Sequence, residues 1–326
     1  MSRKYYEKKR KKRRAILIAA GVLLLLFCGL TFWFQQSEKK AESTYGEISG
    51  NGAVREEILE EPEKIEEKPL RCLVIDVGDA LSVLVDMGDT EVLYDCGYAK
   101  DGKKVSSSIR DYVEGNLDYL ILSHSHADHI GGAARVLKDY NIETIITSGE
   151  REGDSGEFDN SMKAAEKEGC KIIEDDDLSF DLGDGLFMNI IETLDPGKTD
   201  NVNDLSVIAH FERGEDSILI TGDAESEAER YLLGKIGKVG IFIAGHHMSS
   251  TSNSTALLNQ WQPSYIVASC AGEKSEYGLP HKKALLRCQA VCGEIYGTYK
   301  SGDVLLTMTG EEIKVDAEED DKITVQ

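Results

Sequence analysis

The feature that most constrains this chain is the run SHSHADHIGG at residues 123–132. Within six residues it places three of the seven histidines and one aspartate: His124, His126, Asp128 and His129. Neutral imidazoles and carboxylates are common ligands of Zn²⁺, Mn²⁺ and iron. The preceding residues 117–122 predict a buried strand, and the glycine pair 131–132 lets the backbone turn tightly into a helix. The run therefore predicts a metal site at a strand end.

The spacing of these four residues indicates two sets of ligands. Just past a strand end, His124 and His126 are two residues apart and can point the same way. Asp128 and His129 stand at the start of the next helix and can address a second ion. A histidine-rich surface loop without function is the alternative, which four ligand-type residues at this spacing make the weaker one.

Other short motifs surround this run in a fixed order. They are VIDVG at 74–78, LYDCG at 93–97, NDLSV at 203–207, LITGDAE at 219–225, AGHHMSS at 244–250 and YGLPH at 277–281. Together with HxHxDH they resemble the hydrolase domain of the ComEC/Rec2 competence family, within the metallo-β-lactamase superfamily. The resemblance extends over about 70–312, and several motifs in the same order are more specific than any one of them.

The resemblance implies an α/β (α+β) fold, the αββα sandwich in which two sheets pack between helices. A reading of the hydrophobic pattern is compatible with it, because short strands and helices alternate in two similar halves. Helices are expected at 105–114, 131–139, 159–168, 224–233, 255–260 and 282–292. Strands are expected at 71–77, 81–87, 91–95, 119–122, 144–147, 187–192, 206–211, 217–221, 241–244 and 264–269. Metal ligands would then lie on loops at one edge of the sandwich.

The roles of the site residues follow from the resemblance. It implies two divalent metal ions, with zinc expected and manganese as the alternative. His124 and His126 would hold the first ion, Asp128 and His129 the second, and Asp223 would bridge them. One histidine of the His246–His247 doublet completes the second site; His247 is the preferred ligand and His246 would face the substrate, but the doublet is not resolved by sequence. Asp95 would support the histidine loop through hydrogen bonds.

Three positions depart from the typical pattern. A typical dizinc member has a further histidine on the first metal, whereas this chain has Asn203 there, as the competence-type branch does. His210 could substitute, but a histidine inside a strand is more often only a strand-face residue. Asp79 begins a stretch where the family has Gln-Gly-Asp, and Leu279 replaces a histidine, although His281 matches the next one. Hydrolysis is expected to survive with altered substrate or weaker activity.

The mechanism expected from the resemblance is attack by a hydroxide held between two metal ions. Asp128 would orient this nucleophile, and His246, Ser249 or His281 would donate a proton to the leaving group. We therefore expect Asp128, His246 and His281 to be the catalytic residues. No nucleophile elbow or phosphate-binding P-loop occurs in the sequence.

The amino-terminal residues predict a membrane anchor. Residues 1–14 carry nine Lys or Arg and one Glu, and 15–34 run for twenty residues without a charge. Such a run spans roughly 30 Å, the thickness of a bilayer core. A cleaved signal peptide is the alternative, but the apolar run is too long for one and no small-residue cleavage site follows it. The positive-inside rule places 1–14 in the cytoplasm and everything after 35 outside the cell.

The remaining chain divides into three parts. Residues 35–68 predict an acidic, flexible stalk, 69–315 the hydrolase domain, and 316–326 an acidic disordered tail. The chain has a net charge of −22, so about −30 remains without its basic first fourteen residues. No basic cluster of the kind that grips nucleic-acid backbones occurs outside that tip. Six of the seven cysteines follow the apolar run; disulfides and buried free thiols both remain open.

Three functions are compatible with these patterns. The first is an extracellular, membrane-anchored, metal-dependent phosphodiesterase. Its candidate substrates include DNA, in which case it would be a nuclease of the competence type. The second is a hydrolase of small or wall-linked esters such as phosphocholine diesters or lactones, which the acidic charge favours. The third is a non-catalytic binding accessory, suggested by the departures at 79 and 279. The sequence identifies no protein partner.

Overall fold

The computed structural model describes residues 68–149, 156–174, 177–191, 193–194, 198–319 and 321–324. The basic tip, the apolar run 15–34 and the stalk up to residue 67 lie outside these residues. In the part of the chain that the structure describes, none of the helices combines the length and the apolarity that a bilayer crossing needs.

The strands form two sheets. Those of the first half are β1 (Leu70–Val74), β2 (Val83–Asp86), β3 (Glu91–Tyr94), β4 (Asn116–Leu122), β5 (Asn141–Thr147) and β6 (Lys171–Glu174). The second half contributes β7 (Leu178–Gly183), β8 (Leu186–Ile191), β9 (Ile208–Arg213), β10 (Asp216–Ile220), β11 (Ile241–Ile243), β12 (Tyr265–Ala268), β13 (Ile295–Gly297), β14 (Val304–Met308) and β15 (Ile313–Ala317). The sheet orders are β15-β14-β1-β2-β3-β4-β5-β6 and β13-β12-β11-β10-β9-β8-β7.

Parallel pairing decides where the connecting loops gather. In the first sheet β3, β4, β5 and β6 run parallel, and in the second β10, β11, β12 and β13 do the same. The carboxyl ends of parallel neighbours lie at one edge of a sheet, where ligands usually bind. The loops that leave β3, β4, β10, β11 and β12 therefore emerge together.

Helices cover the outer faces of both sheets. They are α1 (Gly102–Ser108), α2 (Ala127–Ile130), α3 (Ala133–Asp139), α4 (Gly156–Glu168), α5 (Ser226–Leu232), α6 (Thr255–Trp261), α7 (Lys282–Gln289) and α8 (Thr298–Ser301). One buried cluster joins the two sheets face to face, with Tyr94 and Phe211 among its members. A second packs α5, α6 and α7 on one sheet, and a third packs α1, α3 and α4 on the other. This confirms the predicted αββα sandwich.

The structure adds strands that the sequence pattern did not predict and changes the expected tail. Residues 171–174, 178–183, 295–297, 304–308 and 313–317 are strands that were not expected. The disordered tail expected at 316–326 is not disordered where it is described, since β15 runs through Ala317. Further on, Ile323 is 1% exposed and its backbone N–H bonds to the carbonyl of Ile295 at 2.8 Å. The pairing of β15 with β14 and the burial of Ile323 order this segment despite its acidic composition.

The cysteines of the described residues are free thiols. Cys72, Cys96, Cys270, Cys288 and Cys292 are buried, and Cys170 is half-buried. Burial raises the pKa of Cys270 and of Cys288 to about 12. Of the two alternatives left open by the sequence, the structure therefore has thiols packed as small apolar side chains.

Candidate metal centre

The candidate ligands lie on loops from both sheets. His124 and His126 follow the end of β4, and Asp223 follows the end of β10. The His246–His247 doublet lies in a short 3₁₀ turn, Gly245–Met248, directly after β11. Because the two sheets face each other with these strand ends at one edge, residues separated by more than 120 positions meet in one site.

One group of four side chains has the geometry of a metal site. Single ligand atoms of Asp128, His129, Asp223 and His247 all lie within 4.8 Å of one another. His129 Nε2 is 3.2 Å from Asp223 Oδ1, and His247 Nε2 is 3.4 Å from Asp128 Oδ2. Atoms bound to one tetrahedral zinc ion at ~2.0–2.1 Å stand about 3.3–3.4 Å apart. The spacing fits a single ion held by all four residues.

A second group shares one member with the first. Ligand atoms of His124, His126 and Asp223 also lie within 4.8 Å of one another. His124 Nε2 is 3.0 Å from His126 Nδ1 and 4.0 Å from Asp223 Oδ2. Asp223 thus presents one oxygen to each group, as a carboxylate that bridges two ions would. All six residues expected as ligands are brought together, and their roles as ligands remain a proposal.

Unpartnered buried atoms show that the residues suit a cation. Among the described residues, His129 Nε2, His247 Nε2 and Asp223 Oδ1 are buried polar atoms without a hydrogen-bond partner. The other nitrogen of each ring is engaged: His129 Nδ1 lies 2.7 Å from Asp95 Oδ2, and His247 Nδ1 lies 3.1 Å from the carbonyl of Ser269. Such contacts would keep a ring proton on Nδ1 when a metal takes the place of the proton on Nε2.

The pKa values of the buried histidines and aspartates of the site are shifted by burial and by each other's charges. Burial lowers the pKa of His129, but Asp223, Asp95 and Asp128 outweigh it and hold that pKa well above its ordinary value. Burial raises the pKa of Asp223, yet His129 and His247 outweigh it and hold it well below its usual range. For His124 burial dominates and lowers the pKa, which favours the neutral, metal-binding imidazole.

Asp95 braces the histidine loop, as the sequence predicted. Its carboxylate accepts hydrogen bonds from the Ser123 backbone N–H at 2.8 Å and from the Ser123 hydroxyl at 2.7 Å, in addition to the contact with His129. Asp95 is fully buried. It therefore fixes both the start of the loop and the orientation of one ligand ring.

The glycine pair after the ligands forms the predicted turn into α3, and glycine is required there by space rather than by φ. Gly131 and Gly132 have helical φ values of −57° and −77°. A Cβ at Gly132 would meet the carbonyl oxygen of Cys96 at 2.2 Å, and one at Gly131 would meet the Ala127 carbonyl oxygen at 2.5 Å. The turn after α2 thus lies directly against the loop after β3, where the Cys96 N–H donates a hydrogen bond to the carbonyl of His129 at 2.7 Å.

The structure separates the two histidines of the doublet. His247 is 4% exposed and belongs to the four-residue group, and its assignment as a ligand stays a prediction. His246 Nε2 lies 3.4 Å from Asp223 Oδ2, and its Nδ1 lies 3.3 Å from Glu225 Oε1. Glu225 is a residue of the site that sequence reasoning missed, although its position in the LITGDAE motif two residues after Asp223 was a usable signal.

His281 reaches the site but is engaged by the backbone. Its Nδ1 accepts a hydrogen bond from the Ser250 N–H at 2.9 Å, so the proton is on Nε2, which lies 3.2 Å from the carbonyl of Tyr277. With both nitrogens occupied, the ring has no proton to offer a leaving group in this arrangement. The expectation that His281 acts as a catalytic acid is therefore not supported by the geometry, which makes it a brace between two loops.

The remaining sequence departures are explained by packing. Leu279 is 4% exposed and belongs to the buried cluster beneath α7, so it fills space at the floor of the site. Asp79 accepts a hydrogen bond from the Ala271 N–H at 2.8 Å. His210 lies on β9 with Nδ1 3.5 Å from Glu212 Oε2, and it belongs to neither ligand group. The structure therefore leaves His210 as a strand-face residue.

An open cleft of about 560 Å³ gives access to both ligand groups. Its lining includes Asp128, Asp223, Ser249, Tyr98 and Tyr277. The side chain of Tyr277 is 67% exposed, and Lys100 Nζ lies 5.1 Å from the ring centroid of Tyr98. The cleft is large enough for a small ligand or for one unit of a polymer.

Comparison with known proteins agrees with this geometry. Residues 75–272 match the family model described as the metallo-beta-lactamase superfamily. Recombination protein 2 of Haemophilus influenzae is 28% identical over 246 residues, which is 74% of this chain and 29% of that protein. Competence protein ComA of Neisseria gonorrhoeae is 29% identical over 235 residues, 70% of this chain and 31% of the relative. The chain spans less than a third of the length of these curated relatives.

Solved structures of similar shape have low sequence identity. The metallo-beta-lactamase fold protein YhfI of Bacillus subtilis aligns with a TM-score of 0.49 and 16% identity, over 71% of this chain and 96% of that one. Igni18, a metallo hydrolase of Ignicoccus hospitalis, aligns with a TM-score of 0.47 and 13% identity, over 72% and 98%.

The family assignment rests on the sequence match, which covers more than half of the chain. The site geometry described above is compatible with it. The chain belongs to the metallo-beta-lactamase superfamily of metal-dependent hydrolases, and competence proteins of the ComEC/Rec2 type are its relatives.

Proposed function

We propose that this protein is a membrane-anchored, extracellular phosphodiesterase that uses two divalent metal ions, Zn²⁺ or Mn²⁺. One observation carries the proposal: two ligand groups share the buried carboxylate of Asp223. His124 and His126 would hold one ion, and Asp128, His129 and His247 the other. Two-ion sites of this kind polarise a phosphoryl group and supply an activated nucleophile near neutral pH.

The protein side chains would orient the reaction around that site. Asp128 lines the cleft with its side chain 23% exposed, so its carboxylate can also accept a proton from the nucleophile. His246 and Ser249 line the same cleft and are the donors left for the leaving group, since His281 is bound to the backbone. Leu279 lines the cleft and is 4% exposed, so it gives the floor an apolar side chain.

Phosphodiesters are preferred to simple esters for two reasons. The matched relatives are named for competence and recombination, processes that handle DNA. Tyr98 and Tyr277 also flank the cleft, and aromatic rings offer stacking surfaces to nucleobases. The net charge of the chain argues against a long nucleic-acid footprint, so contact would be confined to the cleft.

A hydrolase of small or wall-linked esters is the second candidate. The negative charge and the limited size of the cleft favour it, because a small neutral or zwitterionic substrate needs no basic surface. A binding accessory without turnover is the third.

The test combines metal analysis with turnover of three probes. The purified full-length chain, reconstituted with Zn²⁺ or Mn²⁺, is expected to hold about two ions because it has two ligand groups. It should hydrolyse bis-p-nitrophenyl phosphate but not a lactone, and single-stranded DNA would show whether a polymer enters. Lactone turnover alone would favour the second candidate, and metal binding without any turnover the third. A chain that holds no metal after reconstitution would contradict both proposals in which the protein is a metal-dependent hydrolase.

The proposed topology has its own test. The nine basic residues before residue 15 and the acidic stretch after 34 support an anchor with the domain outside the cell. Protease added to intact cells is expected to cut within 35–68 and release a fragment of roughly 260–290 residues. Protection of the domain until the membrane is broken would mean the opposite orientation, with cytoplasmic phosphodiesters as substrates.

A further inference from the structure

We infer that His246 is a ligand of the first metal ion and takes the place that Asn203 leaves without an imidazole. Glu225 and Asn203 would then hold the His246 ring in position. This inference rests on the metal-binding part of the proposed function. It changes the expected role of His246 from a substrate-facing group to a member of the His124–His126 set.

Each of the two oxygens of Asp223 lies nearest to a different pair of histidines. His129 Nε2 and His247 Nε2 lie nearest Oδ1, at 3.2 Å and 3.6 Å. His124 Nε2 and His246 Nε2 lie nearest Oδ2, at 4.0 Å and 3.4 Å. A separation of 3.4 Å is close to the spacing of two ligands on one tetrahedral ion at ~2.0–2.1 Å. His246 therefore stands on the side of Asp223 that faces His124, whereas its neighbour His247 stands on the other.

A carboxylate prepares the His246 ring for binding through Nε2. Two oxygens face His246 Nδ1, Thr251 Oγ1 at 3.2 Å and Glu225 Oε1 at 3.3 Å, and the Glu225 oxygen accepts a hydrogen bond from Asn203 Nδ2 at 3.1 Å. A proton on Nδ1 leaves the Nε2 lone pair directed at the site, an arrangement that recurs among metal-binding histidines. Asn203 thus contributes its amide to Glu225 and acts on the metal through His246.

The backbone explains how two adjacent histidines can serve different ions. His246, His247 and Met248 all have positive φ values, of 51°, 51° and 63°. Left-handed conformations cost roughly 1–3 kcal/mol at residues other than glycine and persist where the surroundings enforce them. Here Asn253 enforces them, because its side chain bonds to the N–H and the carbonyl of Gly245 and to the carbonyl of Ser249. The strained turn brings both rings into the site from consecutive positions.

His210 is the other histidine proposed from the sequence to supply the imidazole that the first metal lacks at the Asn203 position. Neither histidine belongs to the two ligand groups, but His210 lies inside β9 and outside the cleft lining, whereas His246 lines the cleft. His210 and His246 therefore make a matched pair for experiment, since each removal deletes one imidazole and only one of them should affect a metal.

The experiment is a metal titration of the full-length chain and three variants. Apo protein is titrated with Zn²⁺ against a chromophoric chelator, and with Co²⁺ while its visible absorption is recorded. His246→Asn suits the left-handed backbone, because asparagine tolerates positive φ. We expect this variant to keep one tight site and to lose affinity at the other by about 100-fold or more, and Glu225→Gln to lose about 10-fold or more at the same site. His210→Gln should bind both ions as the wild type does.

Each result bears on the inference separately from the proposed function. Wild-type stoichiometry, affinities and Co²⁺ spectrum in His246→Asn would overturn the inference and leave the two-ion site intact. A wild type that binds no ion would remove the proposed function itself. The retained tight site reports that His246→Asn is folded, and if that variant does not fold, Glu225→Gln decides, because an unchanged affinity there would also overturn the inference.

Discussion

Replacing Asp223 with alanine is expected to lower kcat/KM for bis-p-nitrophenyl phosphate by about 10³-fold or more, which is ~4 kcal/mol of barrier. Asp223 is 2% exposed and presents one oxygen to each ligand group, so its loss removes a ligand from both ions. It also leaves His129 and His247 without the carboxylate that offsets their burial. Turnover and metal content should therefore fall together.

The matched control for this variant is Glu215→Ala. Glu215 is exposed in the turn before β10, at the other end of the strand that Asp223 follows. Its removal deletes one carboxylate without touching the site and should leave kcat/KM within about twofold, as surface changes usually do. Circular dichroism checks the fold, and Asp223→Asn supplies a variant of nearly equal shape. Activity of Asp223→Ala within tenfold of the wild type would place the chemistry elsewhere.

Replacing Gly132 with alanine is expected to cost about 3 kcal/mol of folding free energy, the upper end of the usual cost of overpacking. The added methyl group would lie 2.2 Å from the Cys96 carbonyl oxygen and 3.0 Å from the Gly102 Cα. Both are backbone atoms that cannot rotate away, so α2 must move off the loop after β3. His129 would move with it, and metal affinity should fall as well.

Urea unfolding of the apo and metal-loaded protein measures this effect. Gly237→Ala is the matched control, because nothing lies within 4 Å of a Cβ built there and its φ is not positive. It should change stability by less than about 0.5 kcal/mol. Equal stability of Gly132→Ala and the wild type would show that the two loops are not packed as closely as described.

The sequence predicted the parts of the site that local patterns determine. The spacing from His124 to His129 depends on one strand end and one short helix, both of which have readable signals. The position of Asp223 after β10 could be expected for the same reason. The resemblance supplied the pairing of these segments, because two strands more than 90 residues apart carry no mutual signal in a single sequence.

The parts that were missed depend on tertiary contacts. The strand β14 lies beside β1, about 230 residues away in the chain, and its pattern alone does not separate a strand from a loop. The placement of the His246 and His247 side chains on different sides of Asp223 depends on left-handed conformations at both residues, which no sequence propensity predicts. The engagement of both His281 nitrogens likewise depends on loops that meet only in the fold.

The glycine pair at 131–132 illustrates a correct residue with a different cause. The pair forms the predicted turn, between α2 and α3, but its φ values do not require glycine and the requirement comes from close backbone approach. A glycine requirement can arise from dihedral angles or from space, and the sequence alone does not distinguish them.

The five buried thiols make the folded and unfolded chains differ in chemical reactivity. With a pKa of about 12 at Cys270 and Cys288, only about one such thiol in 10⁵ is ionised at neutral pH, so these two thiols resist oxidants while the domain is folded. Once unfolded, the same thiols regain ordinary acidity and form disulfides in an oxidising medium, which blocks refolding. Outside the cytoplasm, the lifetime of this domain would therefore be set by its unfolding rate, while a reducing medium would let it recover.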